Sequence, residues 1–300
     1  MSSTLSPSEK RPYGLERVCQ IWRRSRSTLY ARRMRQRPGA PPPGRRGPQG
    51  PCSDAELVTH IRRVIDDSPF TGEGYRKVWA RLRYGGIRTS RERTRRLMRE
   101  HGLQAPCRPL VPTEEKLHEG VITTETPNEM WGTDMTTTAT IADGQAAVFI
   151  AIDHCTSQLV GIHASKRQDR FEALEPIRQG IAMHFGAFEA GAASGLKLRH
   201  DHGSNYMADD FQNEIEFLGI ESSPAFVREP EGNGCAERFM RTLKENLLWV
   251  RHFQTIEELR EALLAFQKTY NSQWLLQRHG YRTPDQVFAD LAKQTLAAAA

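Results

Sequence analysis

Between residues 127 and 290 short apolar runs alternate with longer stretches of helical period, and that alternation leaves few folds open. Ala146 to Asp153 and Leu159 to His163 are short enough to be strands. Phe171 to Phe185 reads as a helix. Leu196 to His200 is a further short strand, followed by a helix near Asp209 to Leu218 and a strand near Ile220. A helix opened by Glu237 continues through Phe239, Leu243 and Leu247, and Ile256 to Tyr270 is a last amphipathic helix. Strands interleaved with helices predict an α/β domain.

Three acids stand out against this background because of where they fall. Asp134 follows Trp131-Gly132-Thr133 and opens a Thr-rich run, Met135 to Thr140, that reads as a strand. Asp201 ends the Leu196–His200 run, with Gly203 and Ser204 turning the chain toward the next helix. Glu237 sits at the start of its helix, with 35 residues between it and Asp201. Carboxylates at strand ends and on an adjoining helix can converge on one point. Hard oxygen donors of this kind suit Mg²⁺. Two such ions roughly 4 Å apart can activate an attacking oxygen and stabilise a leaving one. The spacing alone is weak, since the chain holds 36 Asp and Glu; the strand and helix settings carry the argument.

Charge divides the chain. Residues 1–112 hold 25 Lys and Arg against 9 Asp and Glu, a balance of +16, while residues 113–300 hold 17 against 27, or −10. A basic first third points to nucleic acid. Within it, Leu15, Val18, Cys19 and Trp22 fall at helical spacing, and Ser27 is a candidate cap for a second helix to Arg37, the outline of a helix-turn-helix arm. Pro38 to Pro51 has six prolines and four glycines in 14 residues and reads as a linker. A second helical unit follows. Ser53 with Glu56 forms a capping-box pattern, Gly74-Tyr75-Arg76-Lys77-Val78-Trp79 starts the next helix, Gly85-Gly86 stops it, and Ser90 caps a third from Arg91 to His101. Arg91, Arg95 and Arg99 share one face of that helix, with Arg88, Arg93 and Arg96 nearby. Most of these arginines are expected on phosphates.

Five cysteines without a Cys-x-x-Cys pair give no zinc or redox motif, and the odd number fits a reducing cytoplasm. No apolar run approaches the roughly 20 residues of a membrane span.

Several segments together resemble a known family: Gly74-Tyr75-Arg76-Lys77-Val78, Arg95 through Leu103, Trp131-Gly132-Thr133-Asp134, Asp201-His202-Gly203-Ser204-Asn205-Tyr206, Glu237-Arg238-Phe239 with Leu243-Lys244, Tyr270-Asn271 and Thr283-Pro284. In this order they resemble the bacterial insertion-sequence DDE transposases, whose catalytic frame carries a retroviral-integrase-type core. The resemblance runs from about Gly14 to Ala289. It implies a ribonuclease-H-like core preceded by small all-α DNA-binding units, with Asp134, Asp201 and Glu237 as the catalytic, metal-holding acids. The implied cofactor is a pair of Mg²⁺ ions, with Mn²⁺ as substitute, Asp134 bridging both. Water would free a 3′-hydroxyl at an element end, and that hydroxyl would attack a second phosphodiester.

Lys244 lies seven residues after Glu237, about 20° short of two full helical turns, so it shares the Glu237 face and could grip phosphate. Arg76, Lys77, Arg88, Arg91, Arg95, Arg96 and Arg99 complete the expected DNA-binding set. The implied partners are double-stranded DNA (the element's terminal inverted repeats and its target), further copies of the chain, and possible pairing or fusion with an upstream-frame DNA-binding protein. The implied place is the bacterial cytoplasm, at the nucleoid, with no membrane role. The sequence departs from many relatives at Gly232-Asn233-Gly234, where Asp-Asn-Ala is common, and it lacks the His/His/Cys/Cys zinc module of retroviral integrases.

The expected organisation is an arm at 1–37, a linker at 38–52, a helical DNA-binding domain at 53–112, a linker at 113–125, the core at 126–290 and a tail at 291–300. Two other functions use the same parts: a catalytically silent DNA-binding regulator, or a nuclease of the same fold. The intact acid settings disfavour the first, and the large basic third disfavours the second.

Overall fold

The computed structural model describes residues 3–39, 52–106, 124–225 and 233–299; most of both linkers, and Gly232, lie outside them. The chain forms two units, Met1–Gly50 and Pro51–Ala300.

The first unit holds α1 (Leu15–Ile21) and α2 (Arg26–Arg35). The cap of α2 is Ser25, not Ser27: Ser25 is extended, and its hydroxyl accepts from the Thr28 N–H at 3.3 Å. Trp22, expected on the apolar face of α1, lies past its end and is 62% exposed. Cys19 is the one buried side chain among the described residues of this unit.

In the second unit α3 (Asp54–Asp66), α4 (Tyr75–Tyr84) and α5 (Arg91–Glu100) bury Leu57, Ile61, Val78, Leu82, Leu97 and Met98 together. The Ser53/Glu56 capping box is formed in both directions, and Ser90 caps α5 through the Arg93 N–H.

The core follows as β1 (Met130–Thr140), β2 (Gly144–Asp153), β3 (Leu159–Ser165), α6 (Arg170–His184), β4 (Lys197–His200), α7 (Asp209–Phe217), β5 (Glu221–Pro224) and α8 (Gly234–Leu243). A π turn at Lys244–Leu248 continues α8. Then come α9 (Ile256–Gln273), a 3₁₀ turn at Gln277–His279 and α10 (Pro284–Ala299). Residues 291–299, expected as a tail, therefore continue a helix.

The strand order is β3-β2-β1-β4-β5. β2 pairs antiparallel with both β1 and β3, while β4 pairs parallel with β1 and β5. Side chains alternate across a sheet, and β2 shows the consequence. Ala146, Val148, Ile150 and Ile152 pack under α8 and α9, whereas Ala147, Phe149 and Ala151 pack under α6 and α7. Helices thus cover both faces, which is why β2 is a continuous apolar run. This five-stranded mixed sheet between two helical layers is a ribonuclease-H-like core.

Two sequence features owe their identity to close approaches. A Cβ at Gly161 of β3 would lie 1.9 Å from the Pro176 carbonyl of α6, so only glycine lets that helix seat. Asn271 of α9 serves the backbone of Leu159 at both atoms: its Oδ1 accepts from the N–H at 2.9 Å and its Nδ2 donates to the carbonyl at 3.0 Å. The ladder between β2 and β3 shifts register between Ala151 and Ile152, next to Leu159, and Asn271 satisfies groups there that a regular strand would pair.

The helical domain is packed onto the core. Phe70, in the α3–α4 corner, is 4% exposed and belongs to the apolar cluster under α8 and α9. It meets Phe266 and Trp274 edge-on at centroid distances of 6.3 and 4.9 Å. Trp79 meets Tyr281 at 5.7 Å, and the Tyr84 hydroxyl donates to the Tyr281 carbonyl at 2.9 Å.

Arg76 and Lys77, expected at DNA, are turned to this seam instead. Arg76 donates to the Gln277 side chain at 3.1 Å. The Lys77 ammonium lies over the Trp274 ring, 3.8 Å from the buried Glu73 carboxylate, which Arg81 also grips. Burial pushes Lys77 down to about 7, with Glu73 opposing the shift. The reason lies about 200 residues away: the aromatic surface of Trp274 and the amide of Gln277 are presented by the core.

Candidate active site

β1 and β4 bring two of the acids level. Their parallel pairing runs Met130↔Lys197, Trp131↔Leu198, Gly132↔Arg199. Two positions further along each strand direction come Asp134 and Asp201, one on β1 and the other just past the end of β4. Asp134 is therefore inside its strand rather than at its start, since β1 begins at Met130. What opens space beside it is the departure of β4, which leaves β1 paired only with β2 from Thr133 to Ala139.

The two-residue period of β1 places Trp131 and Met135 on the α6 face, where both join the apolar cluster. Gly132 and Asp134 take the opposite face, toward α8. Glu237 sits in the first turn of α8. The start of that helix is tied to β1 by Asn233, whose Nδ2 donates to the Thr133 carbonyl at 2.8 Å. This approach needs a glycine at 132. A Cβ there would stand 2.7 Å from Asn233 Oδ1 and 2.7 Å from His154 Nε2. Burial pushes His154 down to about 4, so it is neutral at pH 7.

The charges of the other two acids bear on Asp134. Burial pushes the Asp134 carboxyl up to about 6, and the charges of Asp201 and Glu237 push in the same direction, while the Met135 N–H and the Lys244 ammonium oppose them. Glu237 is raised by partial burial and drawn back by Arg241, four residues on along α8. Like charges held near one another disfavour ionisation, and opposite charges favour it. Asp134 Oδ1 accepts from its neighbour's N–H and Asp201 Oδ1 from the Gly203 N–H, both at 2.8 Å.

Three carboxylates with oxygens to spare are the donor set that hard divalent cations take. Among the described residues no three His, Cys, Asp or Glu side chains close tightly enough to form a ready-made ion cage. The fit thus rests on the donor chemistry and on the mutual repulsion that a cation would relieve.

Lys244 follows α8 as the first residue of the π turn. Its side chain is half-buried rather than fully exposed, and its charge reaches Asp134, as its shared face with Glu237 requires. Arg241 and Asn233 lie outside the site residues predicted from the sequence. The signal for Arg241 is its i+4 offset from Glu237, and that for Asn233 is its place between Gly232 and Gly234 just ahead of the Glu237 helix.

The basic residues of the helical domain divide into two groups. On one flank of α5, Arg93 pairs with Asp54 at 2.7 Å, and Arg96 bridges Asp54 and Glu100, both at 2.8 Å. On the other flank Arg91 stacks over Trp79 at 4.3 Å, and Arg95 lies over Tyr75 while pairing loosely with Glu92 at 3.5 Å. Arg88, Arg91, Arg95 and Arg99 are exposed. They form the basic stripe, and Arg96 is held by carboxylates behind it.

Comparisons with known proteins follow the same division. Residues 53–109 match an HTH-like domain, and residues 124–230 and 218–284 match two models of an integrase core domain. The chain is 27% identical to the transposase InsD of insertion element IS2 from Escherichia coli, over 79% of this chain and 78% of that one. It is also 27% identical to an uncharacterized 48.2 kDa protein of element IS2A from the same organism, over 81% of this chain but only 57% of the relative's length. Among solved structures, the catalytic core of BIV integrase aligns over 56% of this chain and 99% of its own, at 17% identity and a TM-score of 0.41. An HTLV-2 integrase core solved with magnesium aligns over 54% and 97%, also at 17% and 0.41. On its HTH-like and integrase-core matches and its likeness to InsD, the chain belongs to the DDE transposases of bacterial insertion sequences, with an integrase-type core.

Proposed function

We propose that this chain cuts the phosphodiester bonds at the ends of its own mobile element and joins the freed 3′-hydroxyls to target DNA. The observation that best supports the reading is that the β1/β4 register brings Asp134 level with Asp201, and that the charges of Asp201 and Glu237 bear on an Asp134 carboxyl that burial pushes up to about 6. Those three acids would hold divalent ions, Mg²⁺ by the hardness of the donors and Mn²⁺ as its substitute. Bound there, such ions supply charge stabilisation and an activated oxygen for in-line phosphoryl transfer.

The remaining roles belong to the chain itself. Asn233 and Gly132 fix the start of the Glu237 helix against β1. Lys244 and Arg241 place positive charge beside the acids, where a phosphate would approach. Arg88, Arg91, Arg95 and Arg99 offer the helical domain's surface to the DNA backbone, fixing register without reading bases. Assembly of several copies on DNA, and pairing with an upstream-frame protein, belong to the same proposal. The test is joining of duplexes that carry the inverted repeats flanking the coding region, in the presence of Mg²⁺ or Mn²⁺. Joined products support the reading; DNA binding with neither cutting nor joining would support the silent regulator.

Lys244 gives a sharper expectation. In Lys244→Ala a phosphate loses a charged partner worth about 1.5–3 kcal/mol, so joining should fall about ten- to hundredfold. The half-buried side chain leaves the melting temperature nearly intact. Unchanged joining would return Lys244 to an ordinary helix lysine.

A further inference from the structure

The α3–α4 corner reaches the helix that carries the candidate site. Beyond Phe70, the Thr71 N–H donates to Asn246 Oδ1 at 2.9 Å, and the Thr71 hydroxyl lies 3.2 Å from the Glu245 carbonyl and 3.3 Å from Asn246 Oδ1. Glu245 and Asn246 lie within the π turn that begins at Lys244. In that turn the Trp249 N–H bonds the Lys244 carbonyl at 2.9 Å, five residues back. Asn246 spans the junction between the two helical registers, since its Nδ2 donates to the Thr242 carbonyl at 2.8 Å in the last turn of α8. One side chain therefore serves α8 with its donor and the helical domain with its acceptor. π turns are rare and set apart from ordinary helix by the shift they impose on the residues they carry. This one carries the lysine whose charge reaches Asp134.

We infer that Thr71 and Asn246 are positioning residues. Through them the helical domain holds the π turn in register and thereby aims Lys244 at the acid cluster. The inference rests on the proposed function of that cluster. It makes the helical domain part of the reactive geometry as well as a DNA-binding module. Displacing the corner on DNA binding, or seating it more firmly, changes the aim of Lys244 without touching any acid. Phe70 supplies the anchorage: it is held among Phe266, Trp274 and the side chains under α8, so the corner cannot slide independently of the helix it grips.

The experiment uses the full-length chain with a labelled duplex carrying the flanking inverted repeats, plus Mg²⁺ or Mn²⁺. Asn246→Ala, Thr71→Val and Thr71→Ser are compared for duplex affinity, for joining rate at saturating duplex and for melting temperature. Misplacement of a positioning group by even an ångström costs up to about a hundredfold. The joining rate of Asn246→Ala is accordingly expected to fall about ten- to hundredfold while duplex affinity stays within about twofold. Thr71→Val, which keeps shape and loses only the hydroxyl, should show a smaller loss in the same direction, and Thr71→Ser should recover it.

Wild-type joining rates in Asn246→Ala and Thr71→Val would overturn the inference. So would a rate loss that follows a fall in melting temperature and that Thr71→Ser does not recover. If Asn246→Ala does not fold, Thr71→Val against Thr71→Ser decides. Glu237→Gln is run beside them: if it still joins ends, the reading of the acids fails, whereas a dead Glu237→Gln with an unaffected Asn246→Ala sinks only the coupling.

Discussion

Asp134→Asn will abolish DNA cutting and, without divalent ions, make the protein more stable at pH 8. The folded carboxyl sits at about 6, above the ordinary value near 3.9 of an unfolded Asp. A raised carboxyl binds its proton more tightly in the folded state. Its contribution therefore favours folding below the unfolded value and is lost as pH rises through the folded one. Above about pH 6 the ionised group works against folding by about 2–3 kcal/mol, the cost of a shift of roughly two units. Asn cannot ionise. In a unit of this size the variant should melt about 4–8 °C higher at pH 8, and the difference should vanish near pH 4. Added Mg²⁺ should stabilise wild type, since it binds only the folded site, and should do so far less for the variant. Cutting should fall at least about a hundredfold, as for loss of one well-placed stabilising group. Calorimetry across pH and a nicking assay measure both. A variant that is less stable than wild type at pH 8 would mean that Asp134 is not held against its neighbours' charge.

Phe70→Ala should lose about 3–5 kcal/mol of stability, the usual cost of deleting a buried phenyl group. The ring is buried between two domains, so the cavity opens under α8 and α9 rather than inside the helical domain. Denaturant unfolding should report the loss, and amide exchange should speed up in α8 and α9 as well as around α3 and α4. Exchange confined to residues 52–106 would show that the domains are stable separately. For the same reason, deleting residues 1–106 is not a clean subtraction of DNA affinity. It removes Phe70, Thr71, Lys77 and Arg81 from their core partners together with the basic stripe.

What the sequence made legible was local. The apolar run of β2 reads as a strand because both its faces are buried. The Ser53/Glu56 box, the Ser90 cap and the glycines after α4 and α5 act within a few residues of themselves. The settings of Asp201, just past a strand, and of Glu237, in the first turn of a helix, are local in the same way. What stayed hidden depends on partners far along the chain. Asp134 belongs to the middle of β1 because Met130, Trp131 and Gly132 find β4 some 67 residues later. Lys77 looks like a solvent-facing helix lysine until Trp274 is placed beneath it. The helix from Glu237 promised an unbroken apolar face through Leu247, and nothing in its period announces the π turn that Asn246 and Thr71 hold. Trp22 fits the period of α1 but lies one residue beyond its last turn, where it finds no cover within its own unit.

The most direct test of the acid cluster is to follow Asp201→Asn through cutting and binding on one duplex, in one buffer with Mg²⁺. Asp201 is exposed and lies beyond the end of β4, so the substitution spares the fold. The expected result is binding within about twofold of wild type and cutting reduced at least about a hundredfold. Near-normal cutting by Asp201→Asn would contradict the assignment of Asp134, Asp201 and Glu237 as the reacting centre.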